Sequence, residues 1–512
     1  MAAVDSLSIA ISGLANINRQ LGLVSQNIAN AATPAYVREV ATQTSQSADG
    51  IGTGVQSGPA MRDVNVQMQA DLLIQDATVS GLTTRQSALT AIDAVLGTPS
   101  QGTDLASLLG KLQDGFSLLA GDPSSQPQQN AVVSAAHTLA MAINTLSGVY
   151  SSQRQTAANA VAADIGMLNR TLGVIGSMSD RIIALKADHQ STADLENQRD
   201  AVVRQVALLT NVKVLAQGNG DILLVTISGL QLPTHGPTFG PGAPFSTVGA
   251  TIGAGAYYPG GGIPPIMLGG VDVTMQFNTG RIGANLTLRD VTLPTYQAEL
   301  DEFAQNLAAR FDAQGLTLFT DPLGNMPPGG GVPAQNGYVG FASAIQVNPA
   351  VLANLALVRD GTQVVVGNPL GASAFTPNPV GGPAGFTTLI QRVLDFALGS
   401  EIQSGVLQTP SQTVGLGPAG TLSAPYGPPP TLADTAANLI SAQATDSGAN
   451  NSRLATETAV QATLNGKYSE VTGVNIDAEM SLMLQLQNAY GANAKIITAG
   501  QAMWDQLLAA VH

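Results

Sequence analysis

Residues 476–511 read IDAEMSLMLQLQNAYGANAKIITAGQAMWDQLLAAV. Ile476, Met483, Tyr490, Ile497, Trp504 and Val511 stand seven residues apart, and Leu482, Ala489, Ile496, Met503 and Ala510 form a second column beside them. Two apolar columns at heptad spacing predict one long helix suited to coiled-coil packing. Asn475 is placed to cap its start, and Asp477 and Glu479 suit the positive end of its dipole. The pattern runs almost to His512. Chain ends fray unless something holds them, so a patterned end asks for a partner.

The other end supplies one. Val4, Leu7, Ile11, Leu14, Leu21 and Ile28 repeat at three- and four-residue spacing. Leu7, Leu14, Leu21 and Ile28 form a column seven apart, while Asn18 and Ser25 interrupt the neighbouring one. Thr33-Pro34 stops the pattern, because a residue before proline avoids the α region. A helix over 4–31 is roughly 42 Å long. The two ends are expected to pack on each other. The bland reading of both columns is an ordinary core face within a monomeric bundle.

Further helices lie inside these ends. Met68, Leu72, Val79, Leu82, Leu89, Ile92 and Leu96 predict one helix, stopped at Gly97-Thr98-Pro99. Leu105, Leu108, Leu112, Phe116 and Leu119 predict another, and a nearly unbroken pattern follows from 128 to 190. Ser191 and Asp194 form a capping box for a helix through Leu209. Val212–Gln217 and Ile222–Ile227 predict a β-hairpin around Gly218-Asn219-Gly220. Val271–Phe277 and Arg281–Leu288 predict a second. Tyr296, Leu300, Phe303, Leu307 and Phe311 mark an intervening helix. Residues 321–338 and 405–430 are rich in Gly and Pro, and helical character returns over 432–468, with Leu439, Ile440, Leu454, Val460 and Leu464.

The expected fold is multidomain: an elongated α-helical bundle, with the N- and C-terminal coiled-coil helices paired, plus a β-rich inserted domain. Residues 1–50 and 470–512 form the terminal coiled-coil domain. Residues 51–211, 289–315 and 432–469 form the helical bundle domain. Residues 212–288 and 316–431 form the β-rich and loop-rich insertion.

Composition narrows the chemistry. Of 512 residues only 11% are charged, against a usual share of about 25%. The net charge is −14 with 20 Lys and Arg, so no basic stripe exists to follow phosphates or an anionic membrane. No nucleic acid or membrane partner is expected. The absence of cysteine excludes disulfides, thiolate zinc sites and a Cys nucleophile. No signal peptide and no run of about 18 apolar residues is visible. From these facts alone the bland reading is a cytosolic soluble protein.

The motifs at the two ends resemble a known family. Ile11-Ser12-Gly13-Leu14, Ser25-Gln26-Asn27-Ile28-Ala29-Asn30 and Thr33-Pro34-Ala35-Tyr36-Val37-Arg38 are similar to the N-terminal signature of flagellar rod, hook and hook-associated proteins. Val474-Asn475-Ile476-Asp477-Ala478-Glu479-Met480, Gln487-Asn488-Ala489-Tyr490 and Ala494-Lys495-Ile496-Ile497 resemble the matching C-terminal one. Asp194-Leu195-Glu196-Asn197-Gln198-Arg199-Asp200 resembles a segment of hook-associated protein 1, the FlgK family. Arg289-Asp290 with Leu293-Pro294-Thr295-Tyr296 and Leu300-Asp301, and Val347-Asn348-Pro349, resemble two others. One departure is Ala35, where the family usually has Gly, a residue that tolerates positive φ.

The resemblance implies a structural subunit joining hook to filament, with terminal helices lining the export channel. It implies export through the flagellar type III apparatus to an extracellular place in the flagellum. That revises the cytosolic reading. Implied partners are hook protein, the second hook–filament junction protein, an export chaperone on the C-terminal helix, and other copies of the chain in a helical ring. The implied assembly interface is Leu7, Leu14, Leu21, Ile28, Ile476, Met483, Tyr490, Ile497 and Trp504. The alternatives are another axial subunit, such as hook or distal rod protein, and an exported enzyme or adhesin domain on an axial scaffold.

Catalytic and cofactor chemistry finds little support. His137, His189, His235 and His512 show no metal spacing, and no GxSxG elbow or Walker loop occurs. Asp188-His189 with Asp194 and Glu196 reads as a solvated connection between helices. Gly253-Ala254-Gly255 and Gly260-Gly261-Gly262 lack a following Lys-Ser/Thr and read as loop. No catalytic, cofactor-binding or metal residue is assigned.

Overall fold

The computed structural model describes residues 2–33, 36–48, 51–235, 244–329 and 332–511. Ala35, the departure from the family pattern, lies outside them, as does His512.

Long helices dominate. They are α1 (Ala2–Asn30), α2 (Val66–Leu96), α3 (Leu105–Gly121), α4 (Gln126–Ala187) and α5 (Ala193–Leu209). After the first β-segment come α6 (Gly280–Thr287) and α7 (Leu293–Ala313), then the short helices α8 (Pro349–Ala353), α9 (Leu357–Asp360) and α10 (Thr388–Arg392). The chain closes with α11 (Leu432–Thr472) and α12 (Ile476–Val511). Local chemistry fixes their starts. The side chains of Asn65, Asp104, Thr431 and Asn475 accept from the backbone N–H groups of Met68, Ser107, Asp434 and Ala478. Helix α5 starts one residue later than a Ser191–Asp194 box requires. Thr192 is its N-cap, and the Thr192 hydroxyl reaches Glu196 at 2.9 Å.

Helix α4 is 62 residues long, roughly 93 Å at 1.5 Å per residue. Its one proline, Pro127, sits in the first turn, where the missing N–H costs nothing. Its two halves belong to different cores. Val132, Leu139, Ile143, Leu146 and Tyr150 pack with α3, α7, the start of α11 and the loop-rich chain from 316 to 398. Val161, Ile165, Leu168, Leu172 and Ile175 pack with α5, α6 and the hairpin region. Among the described helices α4 alone is long and apolar enough to cross a membrane, and its apolar stripe is buried in these two cores.

The expected hairpin is present. Strands β5 (Val212–Ala216) and β6 (Ile222–Thr226) pair antiparallel, with Val212 opposite Thr226. Six further small antiparallel sheets, of two or three short strands each, lie elsewhere among the described residues, in the terminal region and the loops. Residues 280–287 differ from expectation, forming α6 instead of a strand. Ile282, Asn285 and Leu286 are buried on one face of it, and Gly81 of α2 lets the Gly280 carbonyl approach. A single π-helical turn, Leu288–Thr292, joins α6 to α7, where Pro294 cannot donate a backbone hydrogen bond.

The loop-rich chain is fastened by buried charges of α7. Asp301 accepts from the N–H groups of Gly340 and Ala342 at 2.7 and 2.9 Å. Glu302 accepts from the Tyr338 hydroxyl and the Gln412 N–H at 2.6 and 2.8 Å. Arg310 donates to the carbonyls of Thr409 and Pro430 at 3.3 and 3.0 Å. Such groups replace the ladder that a sheet would provide.

Helices α2 and α11 pair antiparallel mainly through polar contacts. Arg85 grips Asp446 with two bonds of 2.7 and 2.8 Å, and Gln461 and Arg204 share Asp76. Val460, read as apolar patterning, is exposed.

One glycine of α4 is required by close approach. A Cβ at Gly176 would lie 1.9 Å from the Thr234 carbonyl oxygen. Gly176→Val is expected to cost roughly 2–4 kcal/mol by forcing that loop off the helix, read as a lowered melting temperature. Gly148→Ala, with nothing within 4 Å, is the control. It should raise stability by roughly 0.5–1 kcal/mol through helix propensity.

Candidate assembly face and the polar junction behind it

Helices α1 and α12 lie antiparallel. Asn27 meets Glu479, Gly13 faces Asn493, and Leu7 lies against Gly500. Ile17, Val24 and Leu486 are buried between them, with Leu21, Ile28, Leu482, Met483 and Ala489 packed alongside. On α1 the second column is therefore Ala10, Ile17 and Val24, not the column through Ile11, Asn18 and Ser25. Positions 7, 10, 14, 17, 21, 24 and 28 alternate three and four residues apart, which is the seam a coiled coil needs. Ile11 points outward and is 53% exposed.

The predicted interface residues divide. Leu7, Leu14, Leu21, Ile28, Met483 and Ile497 are half-buried. Leu21, Ile28 and Met483 are brought together in the seam. Ile476, Tyr490 and Trp504 are not brought to it, and Trp504 is 53% exposed. With Met480, Leu484, Ile496, Met503 and Leu508 they are large apolar side chains of α12 left exposed among the described residues. A hairpin of β2 (Gln43–Ala48) and β3 (Ile51–Ser57) lies along α1, held where Ser12 and Asn16 bond Val55 and Ser57.

At the bundle end of the seam lies a polar junction whose roles the sequence did not reveal. The buried Asn27 amide donates to the Glu39 carbonyl at 2.9 Å and to the Glu479 carboxylate at 3.3 Å. Its oxygen accepts from the Glu39 N–H and the Tyr36 hydroxyl, both at 3.0 Å. Arg38 pairs with Glu479 at 2.6 Å, and the Arg38 N–H donates to Thr472 at 2.9 Å. The buried Asn197 of α5 donates to the Val37 carbonyl at 3.1 Å and to the Glu39 carboxylate at 3.3 Å. Arg62 bridges Glu196 and Asp200.

Electrostatics at the junction follow burial. Burial pushes the Glu39 carboxyl up, nearby Asp194 adds to this, and Arg62 opposes it. Burial also pushes the Tyr36 phenol up, reinforced by Glu39. Burial works against the Arg62 charge, but Asp200 and Glu196 more than offset it and raise its pKa. Among the described residues no group of three His, Asp or Glu side chains is arranged for a metal. Asn27, Tyr36, Val37, Arg38, Glu196, Asn197, Asp200 and Glu479 stand in motifs already quoted and Glu39 stands next to one, while Arg62 and Thr472 lie outside them. The pairing itself carries no sequence period.

Residues 89–324 match the family described as flagellar hook-associated protein FlgK helical domain. Residues 466–510 match flagellar basal body rod FlgEFG protein C-terminal. Flagellar hook-associated protein 1 of Escherichia coli (strain K12) is 24% identical over 98% of this chain and 98% of its own. That of Salmonella typhimurium is 26% identical over 60% of this chain and 55% of its own. A solved structure of the flagellar hook junction protein FlgK from Burkholderia pseudomallei has 21% identity and a TM-score of 0.40, covering 50% of this chain and 45% of that one. The paired terminal helices, the two family matches and the relative matched over its whole length define a structural subunit of the bacterial flagellum. Within that class, the chain carries the FlgK helical domain over residues 89–324 and is similar to flagellar hook-associated protein 1 along nearly its whole length.

Proposed function

We propose that this chain joins the flagellar hook to the filament, with its terminal helices turned inward to line the export channel. The observation that carries the reading is the set of exposed apolar side chains on α12. Ile476, Leu484, Tyr490, Ile496, Met503 and Trp504 stay exposed around a helix that pairs with α1 through Leu482, Met483, Leu486 and Ala489. Large apolar side chains exposed together on one element mark an interaction surface, and Tyr490 and Trp504 are its natural anchors. In this reading residues 1–50 and 470–512 form the inner layer. Residues 51–211, 289–315 and 432–469 form the middle layer, and 212–288 and 316–431 the outer surface.

The neighbours are further copies in a helical ring, hook protein on one side and the second junction protein on the other. Before assembly an export chaperone covers the exposed α12 side chains, and the flagellar type III apparatus carries the subunit out. Leu14→Asp with Leu21→Asp puts two carboxylates into the seam, and cells carrying it are expected to shed their filaments. Firmly held filaments in an otherwise null strain would sink the assembly role. Immunogold labelling should mark the hook tip; label along the whole hook would favour the hook-protein alternative.

A further inference from the structure

We propose that the cleft between α2, α7 and α11 binds a primary ammonium carried on an alkyl stem, with Glu299 as its counter-ion and the rings of Tyr296 and Tyr426 as its walls. The site stands apart from the terminal pair and does not rest on the assembly reading.

The cleft has a volume of about 610 Å³ and opens on the flank of the bundle. Arg85 of α2, Thr295 and Tyr296 of α7, Ala442 and Asp446 of α11, and Tyr426 of the loop before α11 line it. Arg85 holds Asp446 through two hydrogen bonds, and the Tyr296 hydroxyl donates to Asp446 at 2.5 Å, so the two charges on the wall offset each other. Glu299 follows Thr295 by four residues and Tyr296 by three, which sets it on the same face of α7, one turn deeper. It is 2% exposed, and neither of its oxygens has a hydrogen-bond partner among the described residues. Its charge acts on the phenols of Tyr426 and Tyr150. Behind the Tyr426 wall, therefore, stands a buried carboxyl with no donor.

This arrangement selects its ligand. A desolvated carboxyl without a partner is costly, and a group that brings both N–H donors and a positive charge answers both losses. The faces of aromatic rings attract the same charge. The Tyr150 and Tyr296 rings stand 5.8 Å apart, so a second aromatic layer backs the first. An anion would meet a like charge. A hard metal ion would need several oxygen ligands, and among the described residues no three Asp, Glu or His side chains converge on one point. The methylenes of an alkyl stem suit Pro425 and Ala442 at the cleft wall. Tyr426 turns aside to admit the cation. It sits in Ala424-Pro425-Tyr426-Gly427-Pro428, and a Cβ on Gly427 would meet nothing within 4 Å, so this stretch has room to move.

Isothermal titration of the full-length chain with pentylammonium chloride at pH 7 tests this. Binding is expected with a Kd on the order of a millimolar. It should release about one proton, because burial pushes the Glu299 carboxyl up to about 8 and the ammonium needs the carboxylate. The release is read from the dependence of the heat on the ionisation enthalpy of the buffer. Glu299→Gln keeps the shape and removes the charge, and should weaken binding on the order of tenfold or more and abolish the proton release. Ala442→Leu, which narrows the cleft from α11 and leaves Glu299 in place, should weaken binding as well; it decides the matter if Glu299→Gln fails to fold. No binding by the parent chain, equal binding by Glu299→Gln, or binding without proton release overturns the proposal. Two further probes separate the sources of such a group. Tighter binding of N-acetyl-lysine amide assigns the site to a lysine side chain of a neighbouring protein, and tighter binding of the diamine cadaverine assigns it to a free polyamine; either supports the ammonium site.

Discussion

Replacing Glu299 with methionine raises the melting temperature of the bundle at pH 8 by several degrees and reduces its dependence on pH. Glu299 lies on α7, 2% exposed, and neither carboxylate oxygen has a hydrogen-bond partner among the described residues. The titratable groups facing it are the phenols of Tyr150 from α4 and Tyr426 from the loop before α11. Glu302, one turn along, also acts on Tyr426. No cation offsets the desolvation, and burial pushes the Glu299 carboxyl up to about 8.

The direction of the pH effect follows. In the unfolded chain this carboxyl ionises near 4.5, while the folded chain keeps its proton to about 8. Stability is therefore fully present in acid and is lost as pH rises between those values. The upper bound is ~1.4 kcal/mol per pH unit, or roughly 4–5 kcal/mol over the window. Methionine has similar volume and nothing to ionise, so that loss disappears. A smaller slope remains from Asp301, which burial pushes up to about 7 against the N–H groups of Gly340 and Ala342. Thermal denaturation at pH 5, 7 and 9 checks this; a variant no more stable than the parent at pH 9 would refute it.

Arg38→Met should separate the terminal pair from the bundle. The Glu479 side chain is 1% exposed and its short ion pair is with Arg38, which is one-third exposed. Removing the cation leaves a buried carboxylate supported by the longer Asn27 contact. Breaking a buried pair from one side costs roughly 3–5 kcal/mol, and the exposure of Arg38 places this case at the low end. A seam of three buried apolar side chains has little reserve against it. Adding Glu479→Met should restore most of the loss, because the stranded charge goes with it. The chain lacks cysteine, so Gly13→Cys with Asn493→Cys gives a clean reporter. Disulfide yield should fall in the Arg38→Met background and recover in the double substitution. Equal yields in all three would show that the pair does not hold the helices.

What the sequence made legible was what repeats. The heptads at both ends, the cap at Asn475 and the break at Gly97 are local, and the helices fall there. Residues 281–288 show the limit. Ile282, Ala284, Leu286 and Leu288 alternate as a strand does, yet Ile282 and Leu286 also stand one helical turn apart. Eight residues fit both periods, and packing against α2 through Gly81 decides for helix. On α1 the column through Leu7, Leu14, Leu21 and Ile28 is legible, but its companion through Ala10, Ile17 and Val24 is not, because Ala10 is a weak apolar signal, although a small residue suits close helix approach. The junction was illegible for another reason. Asn27 and Glu479 are 452 residues apart and Arg38 and Glu479 are 441 apart, and no periodicity announces a polar partner at that distance.

Helix α4 has a mechanical consequence. Two separate cores hang on its two halves, and the shorter α2 also reaches both, with Leu73 in one and Leu89, Ile92 and Leu96 in the other, so continuous helices are the beam between them. A twisting load applied at the first core reaches the second through the axial hydrogen bonds of these helices, not through a sliding interface alone. The only compliance in that path is the elastic bending of an α-helix, which is smooth and recoverable. A subunit built on such a beam passes rotation on without slip, while yielding slightly each time the structure it belongs to flexes.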